Sequence, residues 1–83
     1  MATVVFEPPA AAQFEELPER IKDRMVNLIA RLQDWPSVSG VKYLRGNLTG
    51  HCRLRTGDYR IQFRVEGDVV TIEQVGHRDR FYD

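Results

Sequence analysis

The sequence predicts a small α+β domain: an N-terminal strand and a two-helix hairpin packed on one face of an antiparallel sheet that ends in a three-strand meander. Three observations predict it. Apolar residues recur at intervals of three and four through residues 21–32, the period of a helix. From Tyr43 onward the interval falls to two, the period of strands, and the Gly-Asp pairs of "TGD" and "EGD" supply tight turns between the strands. Eighty-three residues make one domain, 1–83, because a chain this short buries only about 60% of the surface its unfolded form exposes.

Taken in order, "TVVF" reads as a first strand, closed by Pro8 and Pro9, which have no N–H to give a ladder. "PAAAQFEEL" is a first helix of strong helix formers, interrupted by Pro18. A second helix starts at or near Pro18. Ile21, Met25, Leu28, Ile29 and Leu32 form its buried stripe, with Arg20, Lys22, Asp23, Asn27 and Arg31 turned outward. "DWPSVSG" ends it, since Pro36 biases Trp35 away from helical geometry, and Trp35 itself is expected to pack. Three strands follow over about 51–56, 59–65 and 69–75.

Strand parity sorts the side chains of this meander. Cys52 and Leu54, with Tyr59, Ile61, Phe63 and Val65, belong to the face that covers the helices. The opposite face then carries His51, Arg53, Arg55, Arg60 and Arg64, a basic surface on rigid elements. The formal net charge is zero, yet residues 42–64 hold Lys42 and five arginines, including Arg45, against Asp58 alone. Ten of the twelve basic residues are arginine, whose planar fork suits phosphate. A solvated strand face would look the same in sequence, so charge alone does not decide for function.

Other classes are set aside on composition. No apolar run approaches the ~20 residues that a bilayer requires, and "MATVVFEPP" has no signal-peptide pattern, so no membrane contact and a cytoplasmic location are expected. Cys52 has no partner for an internal disulfide, and one cysteine with two histidines gives no zinc-type spacing. No metal and no cofactor are expected.

"LRGNLTGHCRLRTGDYRIQFRV" followed by "VTIEQVGHRDRFYD" resembles the RelE/ParE superfamily of bacterial toxins. The matching elements are the Leu44–Gly46 turn, the Arg55–Arg60 hairpin and the closing Gly76–Tyr82 segment, with Phe81 where the family usually has valine. The resemblance implies a RelE-like fold and a toxin neutralised by a cognate antitoxin. For RelE-type members it implies a ribosome-dependent endoribonuclease that cleaves messenger RNA and inhibits translation. Carried over by position, His51 and Arg53 stand where typical members have lysines, Arg60 is the arginine of the Tyr-Arg pair, Arg78 that of the closing motif and Tyr82 the terminal tyrosine. These five are the candidate catalytic residues; Arg45, Arg55, Arg64 and His77 are candidate RNA contacts.

The chemistry is compatible with such a set. Cleavage by the neighbouring 2′-hydroxyl needs a base, positive charge on the phosphorane and an acid for the departing 5′-oxygen. Arginine keeps its protons and serves only the second role, so proton transfer falls to His51, His77, Tyr82, or groups of the ribosome or RNA. A ParE-like, non-enzymatic inhibitor of DNA gyrase is the alternative on the same scaffold, and an inactive antitoxin-binding relative is a third. In each case the antitoxin is expected to be an acidic, disordered segment that folds on the basic face and the helix pair, giving a hetero-oligomer.

Overall fold

Pro8 sets where the first strand stops and the first helix starts. In the computed structural model, which describes residues 1–81, β1 is Thr3–Phe6 and α1 is Pro8–Glu15. Pro8 takes the first helical position, where a missing N–H leaves no bond unmade, so the helix begins one residue before the Pro9 start expected from sequence. It ends short of Leu17 because that residue precedes a proline and is pushed out of helical geometry. Leu17 is instead a buried hinge at 9% exposure. Pro18, itself extended, caps α2 (Glu19–Arg31), which buries Ile21, Met25 and Leu28, and a 3₁₀ turn over Leu32–Asp34 carries Leu32 into the same core.

The sheet has five strands, two more than the meander. β2 (Lys42–Tyr43) is a two-residue edge, too short to show a period; β3 is His51–Thr56, β4 Tyr59–Glu66 and β5 Val69–His77. Their order is β1-β5-β4-β3-β2, with β1 parallel to β5 and every other pair antiparallel. The β3–β4 and β4–β5 turns each hold two residues and begin with Gly57 (φ 59°) and Gly67 (φ 61°), the left-handed first position that hairpins of this length favour.

β5 contains an extra residue. Gln62 pairs with Gln74 but Phe63 pairs with Ile72, so Glu73 has no partner across the ladder. The bulge reverses the parity of the strand. Val75 faces the core on one side of it, and Ile72 and Val70 face the same core on the other. Gln13 of α1 reaches over to accept the Val75 N–H at 2.9 Å, close to the disturbed ladder.

Both helices lie on one face, α1 against β5 and β1, α2 against β3. The core between the layers joins Met25, Leu28 and Leu32 to Cys52, Leu54, Ile61, Phe63, Val70, Ile72 and Val75. Trp35 packs as expected, its ring edge-on to Phe63 at 5.5 Å between centroids. Burial, and secondarily the charge of Glu73, pushes the Cys52 thiol above its ordinary range, as suits a small core residue. Phe63 has no exposed surface. Phe63→Ala should therefore cost about 3–5 kcal/mol, a large share of the ~5–15 typical of a small domain. Urea unfolding should show a lower midpoint at unchanged slope; a loss under about 1 kcal/mol would mean that Trp35 collapses into the space.

Candidate functional site

The β3–β4 register opposes His51 with Arg64, Arg53 with Gln62 and Arg55 with Arg60. Directly opposed residues share a face, so all six lie on the side away from the helices, as parity predicts. The face is not one uniform basic strip, however. It divides along the strands into two ends of different chemistry.

At the end where β3 begins, the cations are matched by carboxylates. Arg64 contacts Glu7 at 3.0 Å, Glu73 at 3.1 Å and Glu66 at 3.2 Å. Hydrogen bonds to Glu7, Glu66 and Glu73 raise its pKa further above the usual arginine range. His51 Nδ1 lies 2.6 Å from Glu73 Oε1, and its side chain is 29% exposed. Arg64, expected as a charge that tracks RNA, is also the hub of an acidic clamp. His51 is neither a loose surface histidine nor adjacent to Arg60. Arg60 opposes Arg55, four residues along β3, so the two backbones are about 13 Å apart at ~3.3 Å per residue.

At the hairpin end the arginines dominate. Arg55 and Arg60 oppose each other directly, and Arg53 lies one same-face step away. Arg53, expected on the surface, is only 4% exposed: its guanidinium sits 5.2 Å from the centre of the Phe81 ring and makes a long 3.5 Å contact to Gln62. Phe81 reaches this position because the C-terminal segment folds back over the sheet. After β5, a 3₁₀ turn over Arg78–Arg80 is tied to the β3–β4 turn by the Arg78 N–H donating to the Asp58 carbonyl at 2.7 Å. Gln74 donates to the Arg80 carbonyl at 3.2 Å. Arg78 is left largely exposed at the rim, its Nε 3.8 Å from Asp58.

Two further expectations take a different form. His77 pairs with Tyr59 and meets its ring edge-on at 5.3 Å, which puts it on the opposite face from Arg60. It caps the turn that follows, its Nδ1 accepting from the Asp79 N–H at 3.2 Å. Arg45 lies before the 3₁₀ turn over Gly46–Leu48, in the β2–β3 connection, and is exposed. Tyr82 lies outside the described residues. Sequence reasoning missed Glu73 and Glu7. A signal for Glu73 was present: the apolar residues Val70 and Ile72 fall on one parity and Val75 on the other, with two polar residues between.

Residues 4–82 match the family described as ParE toxin of type II toxin–antitoxin system, parDE. Toxin RelE3 of Methanocaldococcus jannaschii is 29% identical over 83 residues, spanning 96% of this chain and 94% of that protein. Among solved structures, the RelBE2 toxin–antitoxin complex of Mycobacterium tuberculosis aligns at 30% identity and a TM-score of 0.81, over 93% of this chain and 98% of that one. The isolated RelE toxin of Escherichia coli aligns at a TM-score of 0.79 over 93% and 84% of the two chains; at 18% identity that likeness speaks to the fold alone. A match over nearly the whole chain defines the class: the protein belongs to the RelE/ParE superfamily, the toxins of type II toxin–antitoxin systems. Its named relatives include RelE toxins, whereas the matched family carries the ParE name.

The apposition of Arg55 and Arg60 has an energetic consequence. Like charges directly opposite on neighbouring strands are destabilising. Arg55→Thr, which keeps strand propensity and removes one charge, should raise stability by up to about 1 kcal/mol. The gain should shrink at high salt, where exposed charges are screened. A loss of stability in thermal melts at low salt would mean that Arg55 holds the hairpin together.

Proposed function

We propose that the protein is a ribosome-dependent messenger RNA endoribonuclease whose helix-free sheet face receives the RNA. The observation that carries this reading is the direct apposition of Arg55 and Arg60, with Arg53 one step away and Arg78 at the rim. Two guanidinium groups opposed on neighbouring strands repel each other. An anion lying between them turns the repulsion into binding, and the phosphates of a single strand supply anions in a row.

In this reading His51 takes the proton of the 2′-hydroxyl, the 2′-oxygen forms its bond to phosphorus, and the bond from phosphorus to the 5′-oxygen breaks. The departing 5′-oxygen takes a proton from Tyr82 or water, leaving a 2′,3′-cyclic phosphate. Arg60 and Arg78 bear on the phosphorane oxygens, and Arg53, buried against the Phe81 ring, adds its charge from behind them. One phosphate serves both His51 and Arg60 when the long arginine side chain leans along the strand, as the imidazole cannot. Arg55 and Arg45 track the RNA backbone, whereas Arg64 and His77 have other partners and leave that set.

An antitoxin partner belongs to the same proposal. The M. tuberculosis relative was solved as a toxin–antitoxin complex, as was RelB-RelE of Methanococcus jannaschii, which is 26% identical. The groove lined by Phe6, Phe14, Val26 and Ile29, about 480 Å³, offers an apolar seat for a helix of such a partner on the helix side of the sheet, and an extended acidic segment of the same partner would pass round the sheet to meet the arginine face. Ribosomes and messenger RNA place the activity in the cytoplasm.

Arg60→Ala is the direct test. It should leave the protein folded, with stability changed by no more than about 1 kcal/mol, yet slow cleavage of messenger RNA on programmed ribosomes by on the order of 100-fold to 1000-fold. Arg60→Lys should recover only part, because an ammonium cannot make the two-point contact of the guanidinium fork. Primer extension reads the cuts. Intact messenger RNA with wild-type protein, together with inhibited gyrase supercoiling, would replace the ribonuclease by the ParE-like reading.

A further inference from the structure

We propose that Glu73 is the positioning residue for His51: it holds the imidazole as the Nδ1–H tautomer, so that Nε2 carries the lone pair offered to RNA. The inference rests on the ribonuclease reading for what His51 does, but its structural half stands on the geometry of the bulge. A carboxylate only accepts hydrogen bonds, so the 2.6 Å contact between Glu73 Oε1 and His51 Nδ1 requires the proton on Nδ1. The second oxygen, Oε2, is held by Arg64 Nη1 at 3.1 Å. Arg64 is in turn fixed by Glu7 Oε2 at 3.0 Å and Glu66 Oε1 at 3.2 Å, so the carboxylate is anchored from β4 and from the β1–α1 junction.

The bulge is what places Glu73 there. In a regular β5 it would share the parity of Val75 and face the core; as the extra residue it reaches the polar face, where its side chain is 15% exposed. A partly buried carboxylate that meets a histidine on one oxygen and an arginine on the other orients a base in the manner of the third group of a catalytic triad. A purely structural ion network would need Glu73 to meet Arg64 and would be indifferent to which nitrogen of His51 carries the proton.

Glu73→Gln separates the two roles while preserving shape. Arg64 donates and therefore takes the amide oxygen, which leaves the amide NH₂ facing His51 Nδ1 and moves the imidazole proton to Nε2. With only two histidines in the chain, ¹⁵N-labelled imidazoles resolve this directly. Once deprotonated, His51 of the wild-type protein should show a pyrrole-like Nδ1 and a pyridine-like Nε2, and Glu73→Gln should interchange them. Single-turnover cleavage on ribosomes should fall on the order of 100-fold, at an unchanged half-saturating concentration. A wild-type His51 protonated on Nε2 overturns the proposal, as does a variant that keeps both tautomer and rate. The Nδ1–H tautomer in a wild-type protein that cuts no messenger RNA overturns the base role and the ribonuclease reading together, with the tautomer assignment standing.

Discussion

One extra residue in β5 is the constraint on which the rest of this structure depends. Without the bulge at Glu73, a regular strand that buried Val75 would turn Ile72 and Val70 to the outside and bring Thr71 and Glu73 into the core. With it, three apolar side chains on both sides of the irregularity meet the same helices, and β5 pairs with β4 while its first half, Val69–Ile72, also pairs with the parallel β1. The shift that completes the core also delivers a carboxylate to the far face. Core and site are thus products of one local event.

That carboxylate divides the helix-free face. Around His51 and Arg64 positive charge is answered by Glu7, Glu66 and Glu73, so this end is ordered before any ligand arrives. At the other end Arg55 and Arg60 face each other directly, and Asp58 stands at the hairpin turn 3.8 Å from Arg78. An end whose charges are answered suits a group that must hold one orientation. An end where two arginines face each other suits the binding of an anion. The returning C-terminal segment, with Phe81 over Arg53, bridges the two and keeps Arg53 out of bulk water.

Most of the fold was legible in the sequence because it is written in local periods. The α2 stripe from Ile21 to Leu32, the turns at Gly57 and Gly67 and the alternation through β4 each follow from spacing alone. What was not legible is non-local. The partner of β1 lies more than sixty residues away along the chain, and the two-residue β2 has no period to read. The site was half legible for the same reason. Parity put His51, Arg53, Arg55, Arg60 and Arg64 on one face, but burial of Arg53 depends on Phe81 folding back, and the pairing of Arg64 depends on Glu7 from the other end of the chain. His77 directly follows Gly76, the residue opposite Arg60, so it falls on the other parity and caps the turn after β5.

The central claim is that this face cuts RNA by way of the neighbouring 2′-hydroxyl. Programmed ribosomes carrying a messenger with a single 2′-deoxynucleotide immediately 5′ of a mapped cut test it most directly. The substituted site should stay intact while cuts elsewhere in the same message persist, each ending in a 2′,3′-cyclic phosphate or its hydrolysis product. Cleavage at the deoxy site at the normal rate would contradict it.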